Sequence, residues 1–290
     1  MAARDVLPIR GYMVHLTHYD PRWCKRKSRE KPFDVKVALE LVDSMAEAGL
    51  NLLVIDCADG VKYKSHPDLA RPYTVPMSHL RRLVSRARKK GIDVVPKLNF
   101  AMSPLHQHNQ WFRPYRNYWD DETYWKHAFQ LIDELIDVCK PERFFHIGMD
   151  EDHDRTIDEF AAAVNTLHQG LAERGLRTIM WKDWQMYPGG RVHREKSLLA
   201  EKKIPRDVVQ LLWNYRYALP DVIRRLRRKG FEVWGAPGGT PEQVAEWRDQ
   251  LLRYGGQGML LTKWVPCRPG NRSEMLKLIR TCGPVLAERA

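Results

Sequence analysis

The sequence contains no apolar run of the roughly 18 residues needed to cross a bilayer. Its opening, Met1 to Arg10, also lacks the apolar stretch of a secretory signal. A cytoplasmic protein with no membrane partner is the expectation. The five cysteines (Cys24, Cys57, Cys139, Cys267 and Cys282) are odd in number, scattered and without a CxxC spacing. That pattern argues against a disulfide framework and a thiolate zinc knuckle, and reads as reduced thiols. No low-complexity tract or linker-like stretch appears, so residues 1–290 are expected to form a single domain. Acid is scarce relative to base: 36 Asp and Glu stand against 48 Lys and Arg, a formal charge of +12. Such an excess binds nucleic acid when it is clustered on one face. Here the basic residues recur at the ends of amphipathic segments, in 81–90 and 224–229, where they are solvated and complement helix dipoles. Nucleic acid is therefore not an expected partner. One further basic group, Lys25, Arg26, Lys27, Arg29 and Lys31, falls in a loop expected beside the functional site and reads as solvated.

What is present is regular. Eight short apolar runs rich in β-branched and aromatic residues occupy 9–16, 50–57, 92–100, 143–149, 177–183, 208–215, 231–236 and 258–265. They read as buried parallel strands. Amphipathic segments lie between them: Leu39, Val42, Met45 and Ala46 share one helical face, Leu80, Leu83, Val84 and Ala87 another, and Phe129, Ile132, Leu135 and Ile136 a third. Ala48-Gly49, Lys90-Gly91, Arg174-Gly175 and Lys229-Gly230 each place a glycine just before a strand, where it ends the preceding helix in the left-handed region. Eight strand–helix units without a break predict an α/β fold, a single (β/α)8 TIM barrel, rather than an open doubly wound sheet.

In such a barrel the chemistry sits at the C-terminal ends of the strands. The expected rim holds His15 and His18; Asp56 and Asp59; Asn99; His146, Asp150 and Glu151; Trp181, Asp183 and Trp184; Trp213, Asn214 and Tyr215; Trp234; and Trp264. Indole faces stack on the C–H faces of pyranose rings while carboxylates, amides and imidazoles bond hydroxyls, so this mixture suits a carbohydrate substrate. The connection 101–121 is longer than the usual βα loop and carries His106, His108, Trp111, Tyr115 and Trp119. It is read as a lid over the barrel mouth, the alternative being a loop packed on the barrel's outside.

The segment Phe144-Phe145-His146-Ile147-Gly148-Met149-Asp150-Glu151 is the most informative in the chain. A strand that runs into two adjacent acids can hold one as a proton donor and the other as an anion, because each disfavours ionisation of its neighbour. The plain alternative is that both acids cap the next helix, but a helix beginning near Thr156 has a cap without them. The motif His146-Ile147-Gly148-Met149-Asp150-Glu151 resembles the fourth-strand His-Ile-Gly-Gly-Asp-Glu of glycoside hydrolase family 20, the β-N-acetylhexosaminidases. The resemblance extends to Arg10-Gly11, Met45-Ala46, Leu50-Asn51, Gly91-Ile92 through Val95-Pro96, and to Trp181, Asp183, Trp213 and Trp264.

The resemblance implies that Glu151 protonates the glycosidic oxygen and that Asp150 orients a substrate acetamido group, whose carbonyl oxygen attacks the anomeric carbon. It implies that Tyr215 (or Tyr217, two residues on) bonds that carbonyl, that Arg10 bonds sugar hydroxyls, and that Trp181, Trp213 and Trp264 enclose the ring. His15, Asp56, Asn99, His106, His146 and Asp183 complete the expected substrate contacts. No cofactor is implied. The chain departs from the family at Pro96-Lys97-Leu98-Asn99, where the family has an acidic Pro-Glu-Ile-Asp-like run. It departs again at Met149 and at Val265-Pro266, where an acid is expected. Other readings are a glycosidase with a protein nucleophile such as Asp183 or Asp56, a divalent-metal barrel using His15, His18, Asp56, His146 and the acids, and a carbohydrate-binding barrel without catalysis. The oligomeric state is not legible.

Overall fold

The computed structural model describes residues 6–17, 31–102, 111–112, 119–184 and 190–288, with backbone alone at 190 and 191. Strands and helices alternate: β1 Ile9–His15, α1 Val35–Glu47, β2 Leu52–Asp56, α2 Met77–Lys89, β3 Asp93–Lys97, α3 Glu122–Cys139, β4 Phe144–His146, α4 Ile157–Ala172, β5 Arg177–Lys182, α5 Gly190–Ala200, β6 Val209–Trp213, α6 Pro220–Arg228, β7 Val233–Ala236, α7 Pro241–Tyr254, β8 Gly258–Pro266 and α8 Arg272–Ala287. The strands close into a parallel barrel in the order β1 to β8. Each expected strand run contains or nearly matches an observed strand. The expected (β/α)8 barrel is the fold.

Local sequence explains the joints. Gly49, Gly91, Gly175 and Gly230 all have φ between 70° and 87°, the left-handed conformation that ends a helix without a Cβ clash. Helix starts are capped by side chains: Asp34 on α1, Asp121 on α3, and capping boxes Thr156/Glu159 on α4 and Thr240/Gln243 on α7. Because Thr156 caps α4, the acids at 150 and 151 are not spent on that task.

The apolar residues form two cores. Met13, Val54, Val95, Ile179, Leu211 and Leu260 fill the barrel's interior with Phe144 and Trp234. A larger layer, including Leu41, Leu83, Leu135, Val164, Ile223, Leu251 and Ile279, joins the strands to the helices. Trp234 thereby departs from its expected place on the rim. It begins near the N-terminal end of its strand opposite Gly258, is fully buried against Phe144, and donates from Nε1 to Glu232 at 2.8 Å. The four described cysteines are buried and unpaired, and no described helix is long and apolar enough to cross a membrane.

Candidate active site

The register of the first four strands builds the floor of the barrel mouth. His15, Asp56, Lys97 and His146 are successive partners across β1, β2, β3 and β4. Parallel partners face the same side, so the barrel carries a polar row where its apolar interior stops. His15 Nδ1 lies 3.0 Å from Asp56 Oδ2, and Lys97 Nζ donates to the same oxygen at 2.8 Å. Burial alone would raise the Asp56 pKa, but the Lys97 ammonium and the His15 bond overcome it and hold the carboxylate far below its ordinary range. His146 accepts the Gly148 N–H on Nδ1 at 3.0 Å, which leaves its proton on Nε2. Burial, reinforced by the Lys97 charge, keeps this imidazole neutral. Lys97 is a member that the sequence reading missed. An ammonium on Asp56 also occupies a position that a divalent cation would need, which disfavours the metal reading of His15 and Asp56.

The two candidate catalytic acids sit above this row on a strained turn. Gly148, Met149 and Glu151 have φ of 72°, 73° and 51°. For the two non-glycine residues this left-handed backbone costs on the order of 1–2 kcal/mol each. Side chains from both neighbouring strands hold the turn in place. From the end of β3, Asn99 accepts the Met149 N–H and the Ala101 N–H on Oδ1, each at 3.0 Å, and donates from Nδ2 to Asp150 Oδ1 at 2.8 Å. From the end of β5, Asp183 accepts the Glu151 N–H at 3.0 Å on one oxygen and Trp213 Nε1–H at 3.1 Å on the other. Burial raises the Asp183 pKa to about 8; the Asp150 charge adds to the rise and the Glu151 backbone bond opposes it. Asp150 is buried, whereas Glu151 keeps exposed surface. The more accessible acid is the one expected to transfer a proton.

A buried ionic cluster secures the turn's outer side. Asp152 accepts from Met102 N–H at 2.7 Å, from Arg155 Nη1 at 2.7 Å and from Lys196 Nζ at 3.1 Å. Arg155 forms a two-bond pair with Asp120 at 2.7 and 2.8 Å and donates to the Phe100 carbonyl at 2.9 Å. The sequence reading passed over Asp152 and Arg155, whose partners Lys196 and Asp120 lie on other elements. His193, brought by α5 to the neighbourhood of Glu151 and 4.3 Å ring to ring from His153, was missed because its partners lie on another element.

Opposite the acids stands an aromatic wall. Trp264 Nε1 donates to the Tyr215 hydroxyl at 2.6 Å, and Trp213 and Tyr215 have ring centroids 5.5 Å apart. Burial raises the Tyr215 pKa, keeping the phenol protonated. Trp213, Tyr215 and Trp264 retain partly exposed surface, whereas Tyr217 is 52% exposed. Trp181 is fully buried between Trp264 at 5.8 Å and His146 at 4.9 Å. It forms the base beneath the wall rather than a stacking face. His15 and His146 are likewise fully buried, so they support the mouth from below.

Two further expectations are corrected. Arg10 stands at the opposite, N-terminal end of β1, where its guanidinium donates to the carbonyls of Gly49 at 2.9 Å and Leu7 at 2.7 Å. It ties the barrel's base and is remote from the mouth. Trp111, expected in a stacking lid, is buried and donates to the Asn99 carbonyl at 2.8 Å. His18, His106, His108, Tyr115 and the basic run 25–29 lie outside the described residues.

No protein-family model matches the chain. A curated relative, Beta-hexosaminidase 1 of Coccidioides posadasii, is 22% identical over 281 residues, covering 78% of this chain and 43% of its own length. The chain therefore spans less than half of that relative. Among solved structures, Dispersin B matches with a TM-score of 0.61 and 17% identity, over 96% of this chain and 98% of its own. The GH20 β-N-acetylhexosaminidase from Streptomyces coelicolor matches with a TM-score of 0.70 and 13% identity, over 97% of this chain and 64% of its own. A Streptomyces plicatus β-hexosaminidase in complex with its product GlcNAc matches equally well, at 0.70 and 14% identity over the same shares. At these identities the likeness establishes a shared fold: this barrel is the one found in family 20 hexosaminidases, and the chain resembles that family as a distant relative.

Proposed function

We propose that this barrel is a glycoside hydrolase that removes an N-acetylated hexosamine by acid-assisted, substrate-assisted hydrolysis with retention. The observation that carries the reading is the 148–151 turn, on which two adjacent acids are held by different partners and exposed to different degrees. Asp150, fixed on one oxygen by Asn99, orients the substrate acetamido group by accepting its N–H. The acetamido carbonyl oxygen, receiving the Tyr215 hydroxyl proton as a hydrogen bond, attacks the anomeric carbon. As the glycosidic C–O bond breaks, Glu151 gives its proton to the leaving oxygen. Glu151, now a carboxylate, takes a proton from water as that water attacks the anomeric carbon. The acetamido group is thereby released and the starting configuration restored. An intramolecular nucleophile supplies high effective concentration, and the fixed Asp150 makes the binding of the acetamido group stronger as positive charge develops on it.

The fold shared with family 20 barrels and the curated hexosaminidase relative support this reading. A protein nucleophile is the rival, and Asp183 is its best placed candidate. Both Asp183 oxygens accept N–H groups, from Glu151 and Trp213, which favours a supporting role instead. The test uses paired aryl β-glycosides that differ only at C2, acetamido against hydroxyl. The acetamido substrate is expected to be turned over about 100-fold or more faster, and Asp150→Asn to abolish the difference. Equal turnover of the pair by the wild type would assign the nucleophile to the protein.

A further inference from the structure

The barrel closes between β7 and β8 through a short ladder, and the two strands part above it. Their pairing covers only Trp234↔Gly258 and Gly235↔Met259, while β8 continues alongside β1 to Thr262↔Met13 and, past a register shift, Pro266↔His15. Above Met259, β8 has no partner on its β7 side, because the chain leaves β7 through Pro237-Gly238-Gly239 toward α7. The gap is a cleft of about 560 Å³. It is lined by Tyr215 and Trp264 of the aromatic wall, by Thr262 beside them, and by Glu274, Lys277 and Thr281 of α8. Sequence alone gave no hint of it, since it depends on where one strand stops pairing.

The lining has the chemistry of a saccharide site: aromatic edge, hydroxyls, exposed backbone and charge. Two lysines, Lys263 and Lys277, face one acid, Glu274. Lys263 pairs with Glu274 at 2.9 Å, and Lys277, one helical turn on, has no ion-pair partner among the described residues. The cleft therefore carries one uncompensated cation. Gly238 is packed against the Tyr215 carbonyl and the Gln243 side chain, so closely that a Cβ would collide with both. This contact fixes the turn relative to Tyr215. Gly239, by contrast, has room: a Cβ there meets only Leu278, at 3.5 Å.

We infer that the cleft between β7 and β8 is a second saccharide subsite, continuous with the ring pocket at Tyr215 and Trp264, that takes an anionic sugar unit or substituent joined to the sugar in the pocket. This deepens the glycosidase reading and rests on it for the order of the two units. The favoured substrate is then an acidic oligosaccharide rather than an isolated hexosaminide. A carboxylate, as in a uronic acid, and a sulfate ester present the same charge to Lys277; the assay separates them.

The experiment compares kcat/KM for an aryl N-acetylhexosaminide with that for three oligosaccharide series, neutral, uronic acid-containing and sulfated, using the wild type, Lys277→Glu and Gly239→Phe. The wild type is expected to favour an acidic series. Lys277→Glu should lower kcat/KM for that series by about tenfold or more, as loss of a charge contact followed by repulsion does. The aryl monosaccharide should stay within about twofold, as for surface changes remote from the chemistry. Gly239→Phe fills the cleft and should impair every oligosaccharide while sparing the monosaccharide. Unchanged ratios in both variants would overturn the subsite. If no glycoside is hydrolysed at all, the hydrolase reading fails separately. Calorimetric binding of the same oligosaccharides to wild type and Lys277→Glu then decides the subsite by itself: weaker acidic binding in the variant supports it, and equal binding overturns it.

Discussion

Asp183, at the end of β5, accepts the backbone N–H of Glu151 at 3.0 Å, so the peptide of the candidate acid is held in its left-handed conformation by a side chain from the next strand. Asn99 does the same for Met149 from the strand on the other side. The turn bearing both acids is thus clamped between β3 and β5. Its geometry depends on two residues that need not touch the bond being broken.

Replacing Asp183 with Asn separates charge from shape. The folded-state pKa of Asp183, about 8, lies above its ordinary value of 3.8, so the folded protein binds a proton that the unfolded chain has lost. Stability from this group is full below about pH 4 and declines as pH rises toward about 8. Asp183→Asn, which cannot ionise, is expected to gain stability relative to wild type between pH 5 and pH 8. Urea midpoints of both proteins across that range check it; parallel curves would contradict the buried, proton-holding assignment. Activity should fall, because an amide cannot accept from Glu151 N–H and Trp213 Nε1–H on two oxygens.

Asn99→Asp keeps the acceptor for Met149 and Ala101 N–H but sets a second carboxylate where Nδ2 now donates to Asp150. Two carboxylates at hydrogen-bond distance do not both ionise near neutrality. The variant is expected to lose at least about tenfold in kcat at pH 7, with part of the loss recovered at lower pH, whereas Asn99→Ala loses activity without that recovery. Matching pH–rate profiles for the two variants would contradict the role given to Nδ2.

Gly148 cannot carry a side chain. Its φ is 72°, and a Cβ would collide with Asn99 Oδ1, the atom that holds Met149. Gly148→Ala is expected to cost about 2 kcal/mol or more in stability, from strain and from displacement of Asn99. Thermal or denaturant unfolding measures it. A loss smaller than that of an ordinary surface substitution would mean that the turn relaxes freely.

Lys97 and Asp56 form the buried ion pair of the floor, at 2.8 Å. Lys97→Met leaves the buried carboxylate with His15 as its remaining partner and should destabilise by about 3–5 kcal/mol. Asp56→Asn in the same chain should restore much of that. Because the folded Asp56 pKa is depressed, its contribution is present above the ordinary carboxylate range and disappears as pH falls below it. Additive effects in the double variant would deny that the two residues act as a pair.

The residues that were legible in the sequence share a property: their roles depend on local pattern. Strand runs, helix faces and the glycines at 49, 91, 175 and 230 are set by periodicity and by a backbone angle that only glycine takes cheaply. Asn99, Asp150, Glu151, Asp183, Trp213, Tyr215 and Trp264 could be gathered at one end because parallel strands in a barrel all end there. Arg10 shows the limit. Its place at the start of β1 assigns it to the opposite end, and resemblance to a motif could not outweigh that. Lys97, Asp152, Arg155 and His193 were illegible for another reason. Each takes its meaning from a partner on a different element, such as Asp56, Asp120 or His153. A basic residue in isolation reads as solvated surface.

The most direct test of the account is the leaving-group dependence of Glu151→Gln, a change that preserves the shape of the side chain and removes its proton. With an N-acetylhexosaminide whose leaving group is a sugar alcohol, kcat/KM is expected to fall by about 10²–10⁴, the usual contribution of a positioned acid. With a strongly acidic phenol as leaving group the loss should be far smaller, and inhibitor binding should persist. If Glu151→Gln cleaves both substrates at wild-type rates, or loses both equally while remaining folded, Glu151 is not the general acid.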